Sequence, residues 1–178
     1  MKELKNLDCK NKRIIVRVDL NVPVFEDEIT DRSRIYSILP TLEKLLKNKN
    51  KIFLITHFGR PKGESNKKYS TEFLCSELKK ILNLSTIHFL DKCDPKKIKT
   101  KISEMQLGEI CLLENIRFNS GEEKNDPIFS KTLSVVHSAS SVRCLRMQKA
   151  AQLGSSSCAS LALRLHVATA IPSDCSEN

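Results

Sequence analysis

Glycine is scarce in this 178-residue chain and tryptophan is absent: there are five glycines, and aromatic residues make up 5%. With so few glycines there is no glycine-rich loop to cradle the phosphates of a nucleotide, and no Walker A pattern occurs. With so few aromatics there is no stacking platform for bases, which argues against nucleic acid as a partner. The seven cysteines are odd in number and include no CxxC pair. This disfavours a disulfide scaffold and a zinc site and suits a reducing, cytoplasmic setting. His57, His88, His137 and His166 show no metal-ligand spacing. The N-terminus, MKELKNLDCKNKR, lacks the apolar core of a signal peptide. No run of about 18 apolar residues exists, so no membrane partner is expected.

What is present suits one domain of ordinary size. Hydrophobic residues reach 40%, and 30 Lys+Arg against 21 Asp+Glu give a formal charge of +9. That balance favours an anionic partner, although a merely solvated lysine surface accounts for it equally well. Four short apolar runs stand out: IIVRV at 14–18, IFLIT at 52–56, IHFL at 87–90 and ICLL at 110–113. Their near-continuous hydrophobicity suits strands buried on both faces. Helical spacing separates them. Ile35, Ile38, Leu39, Leu42, Leu45 and Leu46 form one such stripe, and Phe73, Leu74, Leu78, Ile81 and Leu82 a second. Ser70 is the expected cap of that second helix, with Tyr69 stapled onto Leu74. Asp94-Pro95 opens a third helix carrying Ile98, Ile102 and Met105, which Gly108 ends. Asp126-Pro127 opens a fourth with Phe129 and Leu133. The alternation predicts a doubly wound α/β domain: a mostly parallel sheet with helices on both faces.

In such a sheet, ligands bind beyond the carboxyl ends of the strands. Asp19 and Asn21 follow the first run and point the same way in extended chain, suited to gripping hydroxyls; read alone, the pair is more simply an Asx-turn. His57-Phe58-Gly59-Arg60 follows the second run. Gly59 there offers a close backbone approach to a ligand, and His57 and Arg60 offer cationic donors; alone, this is also an ordinary basic surface loop. Arg117 follows the fourth run, and Arg34 opens the first helix. Together these groups suit a small, multiply anionic, hydroxylated molecule.

RVDLNVP (17–23), ITDRSR (29–34), THFGRPKG (56–63) and LLENIRF (112–118) occur in the order and approximate spacing of the N-domain signatures of phosphoglycerate kinase. Over about residues 3–134 the chain resembles that family. The resemblance implies that Asp19 and Asn21 hold the hydroxyl and carboxylate region of 3-phosphoglycerate. It implies that His57, Arg60 and Arg117 clamp the 3-phosphate, and that Arg34, nearest the reacting carboxylate, is catalytic. The implied reaction is reversible phosphoryl transfer between 1,3-bisphosphoglycerate and ADP in glycolysis, by a cytoplasmic monomer. Mg2+ with ATP or ADP is the implied cofactor, held by a second domain of the family that this sequence stops short of. The chain by itself is then expected not to turn over. A module that binds a phosphorylated metabolite or a protein without catalysis is the alternative reading.

The resemblance fades near residue 134. Residues 1–134 form the expected phosphoglycerate-binding α/β domain, and 135–178 form a tail that does not match the family. The tail has only Arg143, Arg146, Lys149 and Arg164 as basic residues, a serine run at Ser155–Ser157 and three of the seven cysteines. The family's next phosphate-binding arginine is due soon after Leu133, within a motif that is not found here, so Arg143 receives no role. Two readings of the tail stay open: a genuine extension with its own packing, or a reading-frame shift near residue 134, which the abrupt change of composition where a family motif is due favours; translation of the gene in its other two frames tests it. VRCLRMQKAAQL suits a helix, and Leu161, Leu163, Leu165 and Val167 alternate as a strand does.

Overall fold

Apolar residues in the strands divide by parity between two layers of helix. The computed structural model describes residues 9–61, 65–124, 126–136, 143–147 and 165–167. Its principal strands are β1 (Arg13–Arg17), β4 (Lys51–Ile55), β5 (Ile87–Leu90), β6 (Ile110–Leu113), β7 (Arg143–Met147) and β8 (Leu165–Val167); β2 (Val24–Phe25) and β3 (Glu28–Ile29) form a separate hairpin. The helices are α1 (Ser33–Lys47), α2 (Phe73–Ile81), α3 (Pro95–Glu104), α4 (Ser120–Glu123) and α5 (Pro127–Ser134).

The six-stranded sheet has the order β5-β6-β4-β1-β7-β8, parallel throughout except for the antiparallel β7–β8 pair. Side chains alternate between its faces. Ile14, Val16, Ile52, Leu54, Ile110 and Leu112 pack with Ile35, Ile38, Leu42 and Leu45 of α1 and Leu74 and Leu78 of α2. Ile15, Phe53, Ile55, Cys111 and Leu113 point the other way, to Ile98 of α3 and Phe129 and Leu133 of α5. This is the doubly wound arrangement that the apolar runs and helical stripes predict, with strand limits within one residue of the runs. Cys111 fills a core position as a small apolar residue, and burial pushes its thiol up to about 12.

Local chemistry sets the ends of the helices. Asp94 caps α3, its carboxylate accepting from the Lys96 and Lys97 amides at 2.8 and 3.1 Å, with Pro95 at the first helical position. Three local expectations need correction. Ser70 does not cap α2; it lies two residues before the helix's N-cap, Glu72, and its hydroxyl donates to Glu114. Gly108, at φ +89°, turns the chain into β6 after α3 has already ended at Glu104. Residues 143–147 are not helical; they pair in parallel with β1, Ile14 opposite Arg143 and Arg17 opposite Arg146. Hydrogen bonding to β1 outweighs the weak helical pattern, as tertiary context routinely does. The strand lies beyond residue 134 and extends the same sheet, and β8 includes Leu165 and Val167 of the alternating stretch. No helix among the described residues is long and apolar enough to cross a membrane.

Core and cap make different demands on stability. Leu54→Ala, at a fully buried central-strand position, is expected to cost about 3 kcal/mol. Asp94→Ala is expected to cost about 1 kcal/mol. Urea unfolding followed by circular dichroism measures both, and equal losses would contradict this account of the core.

Candidate functional site

The parallel strands β1, β4 and β6 deliver their exits to one rim. Three bonds tie these exits together, two of them through Thr56, the buried residue that follows β4, and one through Ile55, the last residue of β4. The Leu20 amide donates to Thr56 Oγ1 at 3.1 Å, the Ile116 amide donates to the Thr56 carbonyl at 3.1 Å, and the Val18 amide donates to the Ile55 carbonyl at 3.0 Å. Helix α1 begins at the same rim. Its entry is fixed by Asp31, whose carboxylate accepts from the Ser33 amide and hydroxyl, both at 2.8 Å; the same bonds hold the Asp31 carboxyl below its ordinary range.

On this scaffold the sequence-predicted residues interlock. Arg34 Nη1 donates to Asp19 Oδ2, and the Asn21 amide donates to Asp19 Oδ1 at 3.3 Å. Asn21 Oδ1 accepts from the Gly59 amide at 2.9 Å, and the Gly59 carbonyl accepts from Arg117 Nη1 at 3.0 Å. His57 lies half-buried within electrostatic reach of Arg117, Asp19, Arg17 and Glu122. Asp19, Asn21, Arg34, His57 and Arg117 are thus brought together. Arg60 shares the His57 loop through the chain and is exposed. The strand register sets Arg143 beside Ile14, toward the opposite edge of the sheet.

Several members escape a reading of the sequence. Arg17 ends β1 at the rim and pairs with Glu122 of α4 at 2.5 Å; a charge inside the apolar run IIVRV was its available signal. Asn115 is buried, and its Nδ2 donates to the carbonyls of Phe58 at 2.7 Å and Tyr69 at 2.8 Å, while its Oδ1 accepts from the Arg117 amide at 3.1 Å. Glu114 accepts from the Thr71 amide and Ser70 hydroxyl, at 2.8 and 2.7 Å, fixing the entry to α2. Gly59 was expected to admit a ligand to the backbone. Its open side is instead filled by the Tyr69 ring: a Cβ there would stand 2.4 Å from Tyr69 Cδ1, and φ is +61°. Tyr69 therefore packs on Gly59.

The rim's electrostatics favour an anion. Burial disfavours the charged form of His57, so its imidazole sits below the ordinary 6.5; Arg117 and Arg17 act in the same direction, and Asp19 and Glu122 oppose them. A dianion entering here would meet preoriented guanidinium groups and would favour protonation of His57.

Fold and site together define a class: an open α/β domain whose strand-end loops turn cationic and amide side chains onto one rim. The chain belongs to the phosphoglycerate kinase family, whose model, "Phosphoglycerate kinase", matches residues 4–139. The phosphoglycerate kinase of Brucella melitensis is 42% identical over 131 residues, covering 74% of this chain and 33% of that protein. That of Moorella thermoacetica is 39% identical over 131 residues, with the same coverage. Among solved structures, phosphoglycerate kinase from Coxiella burnetii superposes with a TM-score of 0.64 at 31% identity, covering 75% of this chain and 32% of its own. The enzyme from Pyrococcus horikoshii gives 0.67 at 29%, covering 76% and 35%. The chain spans about a third of the length of the curated relatives it matches.

The depressed His57 fixes a pH dependence. The unfolded chain takes a proton at His57 more readily than the folded one, so acid draws the equilibrium toward unfolding. This contribution is complete above 6.5 and is lost as pH falls through the folded value. Between about pH 7 and 5, wild-type stability is expected to fall more steeply than that of His57→Gln. Urea midpoints across that range check it; identical slopes would remove His57 as the cause.

Proposed function

We propose that this chain is the acceptor-binding portion of a phosphoglycerate kinase, taking 3-phosphoglycerate or 1,3-bisphosphoglycerate at the rim. The observation that carries the reading is the convergence of Asp19, Asn21, Arg34, His57 and Arg117 where three strands and one helix meet. In the proposal, His57, Arg60 and Arg117 hold the phosphate of the acid. Asp19 and Asn21 engage its hydroxyl and carboxylate region, and Arg34 stands nearest the reacting carboxylate.

The reaction proposed for the whole enzyme is reversible phosphoryl transfer between 1,3-bisphosphoglycerate and ADP, giving 3-phosphoglycerate and ATP. In the direction that consumes ATP the nucleophile is a carboxylate, ionised at neutral pH, so no general base is needed. The residues here then have two tasks: to position the acid and to offset negative charge as the phosphoryl group moves. Arg34 takes the second task. Among the described residues, no group of three or more His, Cys, Asp or Glu is arranged to hold a metal ion. The five glycines supply no phosphate-cradling loop. In this proposal the nucleotide and its Mg2+ belong to the family's other domain, and the chain by itself binds the acid weakly and does not turn over.

Nitrogen-15 NMR titration of the full chain tests the binding. 3-Phosphoglycerate is expected to shift the Gly59 and Arg117 amides, ATP is expected not to, and Arg117→Ala should weaken the acid by about tenfold or more. A response to ATP alone would overturn the reading. In a full-length relative, the substitution matching Arg34→Ala should lower kcat by about 10²–10³ with little change in the 3-phosphoglycerate KM. A change confined to KM would limit Arg34 to binding.

A further inference from the structure

Asn115 makes no bond to any of the proposed ligand-gripping side-chain groups, yet it touches the backbone of every loop that carries the phosphate clamp. It is 1% exposed. Its Nδ2 has two hydrogens, and both are used: one meets the Phe58 carbonyl, between His57 and Gly59, and the other meets the Tyr69 carbonyl. Its Oδ1 accepts from the Arg117 amide. Tyr69 then packs its ring on Gly59, and Arg117 reaches back to the Gly59 carbonyl. Three of the routes that hold Gly59 therefore pass through Asn115, and a fourth, from the Gly59 amide to Asn21 Oδ1, does not. Glu114 secures Asn115 in turn, accepting from the Asn115 amide at 2.7 Å and from the Thr71 amide at 2.8 Å.

We infer that Asn115 is a positioning residue for the anion clamp, fixing the His57–Gly59 loop against Arg117 so that their cationic groups face one ligand. The inference rests on the proposed binding of 3-phosphoglycerate at this rim. An amide is required because two carbonyls and one N–H converge on the same side chain. Aspartate would set an oxygen against two carbonyl oxygens, and serine would reach at most one of the three partners. Without Asn115, His57 and Arg117 keep their charges and lose their shared frame. The consequence is a loss of affinity beyond what a general loss of stability explains.

The test uses the full chain labelled with nitrogen-15, as wild type, Asn115→Ser and Ile98→Ala. Ile98 is buried on α3 against the other face of the sheet and belongs to no rim loop. Asn115→Ser is expected to speed hydrogen exchange at the Gly59 amide by about tenfold and to weaken 3-phosphoglycerate by a similar factor. Ile98→Ala, compared at the same distance below its own unfolding midpoint, is expected to change neither. Unchanged Gly59 exchange in Asn115→Ser overturns the inference, and so does an equal loss in Ile98→Ala. Wild-type chain that ignores 3-phosphoglycerate would sink the functional reading, while Gly59 exchange still decides whether Asn115 holds the loop. Asn115→Asp provides a second variant should serine fail to fold, with the same expected direction at Gly59.

Discussion

The Gly59 peptide is gripped from both ends: its N–H by the side-chain oxygen of Asn21 and its carbonyl by the guanidinium of Arg117. One bond comes from the exit of β1 and the other from the exit of β6, while Gly59 lies on the exit of β4. A single residue therefore joins three neighbouring strands beyond the point where their own ladder stops. Backbone groups that emerge from a sheet must find new partners or water. Here they find side chains that the proposed site also uses. The requirement for glycine follows from the same place, because the Tyr69 ring occupies the volume of a side chain and φ is positive. Support of the rim and construction of the site are consequently one task.

Charge on this rim is concentrated but not left to itself. Arg34 lies on Asp19, and Arg17 lies on Glu122. These carboxylates hold long side chains at defined positions, which reduces the entropy a ligand must remove when it recruits them. The cost falls on His57. Half-buried beside two guanidinium groups, it gives up part of its tendency to carry a proton. In the proposed reading, an incoming phosphate would offset the arginines that depress the imidazole, while burial, the larger cause, would remain. The rim is thereby cationic enough to attract an anion, and its anionic members keep the cations from repelling one another out of place.

The sheet and its helices were legible because they depend on period. Ile14, Ile15 and Val16 alternate between two helix layers, and so do Ile52, Phe53, Leu54 and Ile55, which is why unbroken apolar runs marked strands covered on both faces. Asp94-Pro95 was legible because a cap is a local event. Arg34, His57 and Arg117 were visible as charges placed at element ends. Asn115, Glu114 and Tyr69 were not, because the distant partners of the two polar residues lie 43 to 57 residues away and, for Tyr69, on Gly59 in a different turn. No periodicity records which carbonyls will converge on one buried amide. Ser70 misled for a related reason: its hydroxyl donates to Glu114, 44 residues on, and accepts from the Glu72 amide at 3.2 Å, ahead of the first helical residue, Phe73.

The strand at 143–147 is the other place where local pattern and structure part, and here the cause lies in β1. Ile14, Ile15 and Val16 are all buried, so β1 is built as an interior strand, and β4 satisfies only one of its two edges. An apolar strand with one row of N–H and C=O groups unpaired is a template for any extended segment within reach. Pairing draws on main-chain groups that every residue except proline possesses, so the position beside β1 asks for extended, proline-free backbone more than for a particular motif. RCLRM meets that requirement seven residues after Val136, where the last described turn ends. The family match stops at residue 139 while the sheet continues past it. Sequence identity and strand pairing therefore answer different questions about this segment: the first follows side chains, and the second follows the demand that β1 places on whatever backbone comes next.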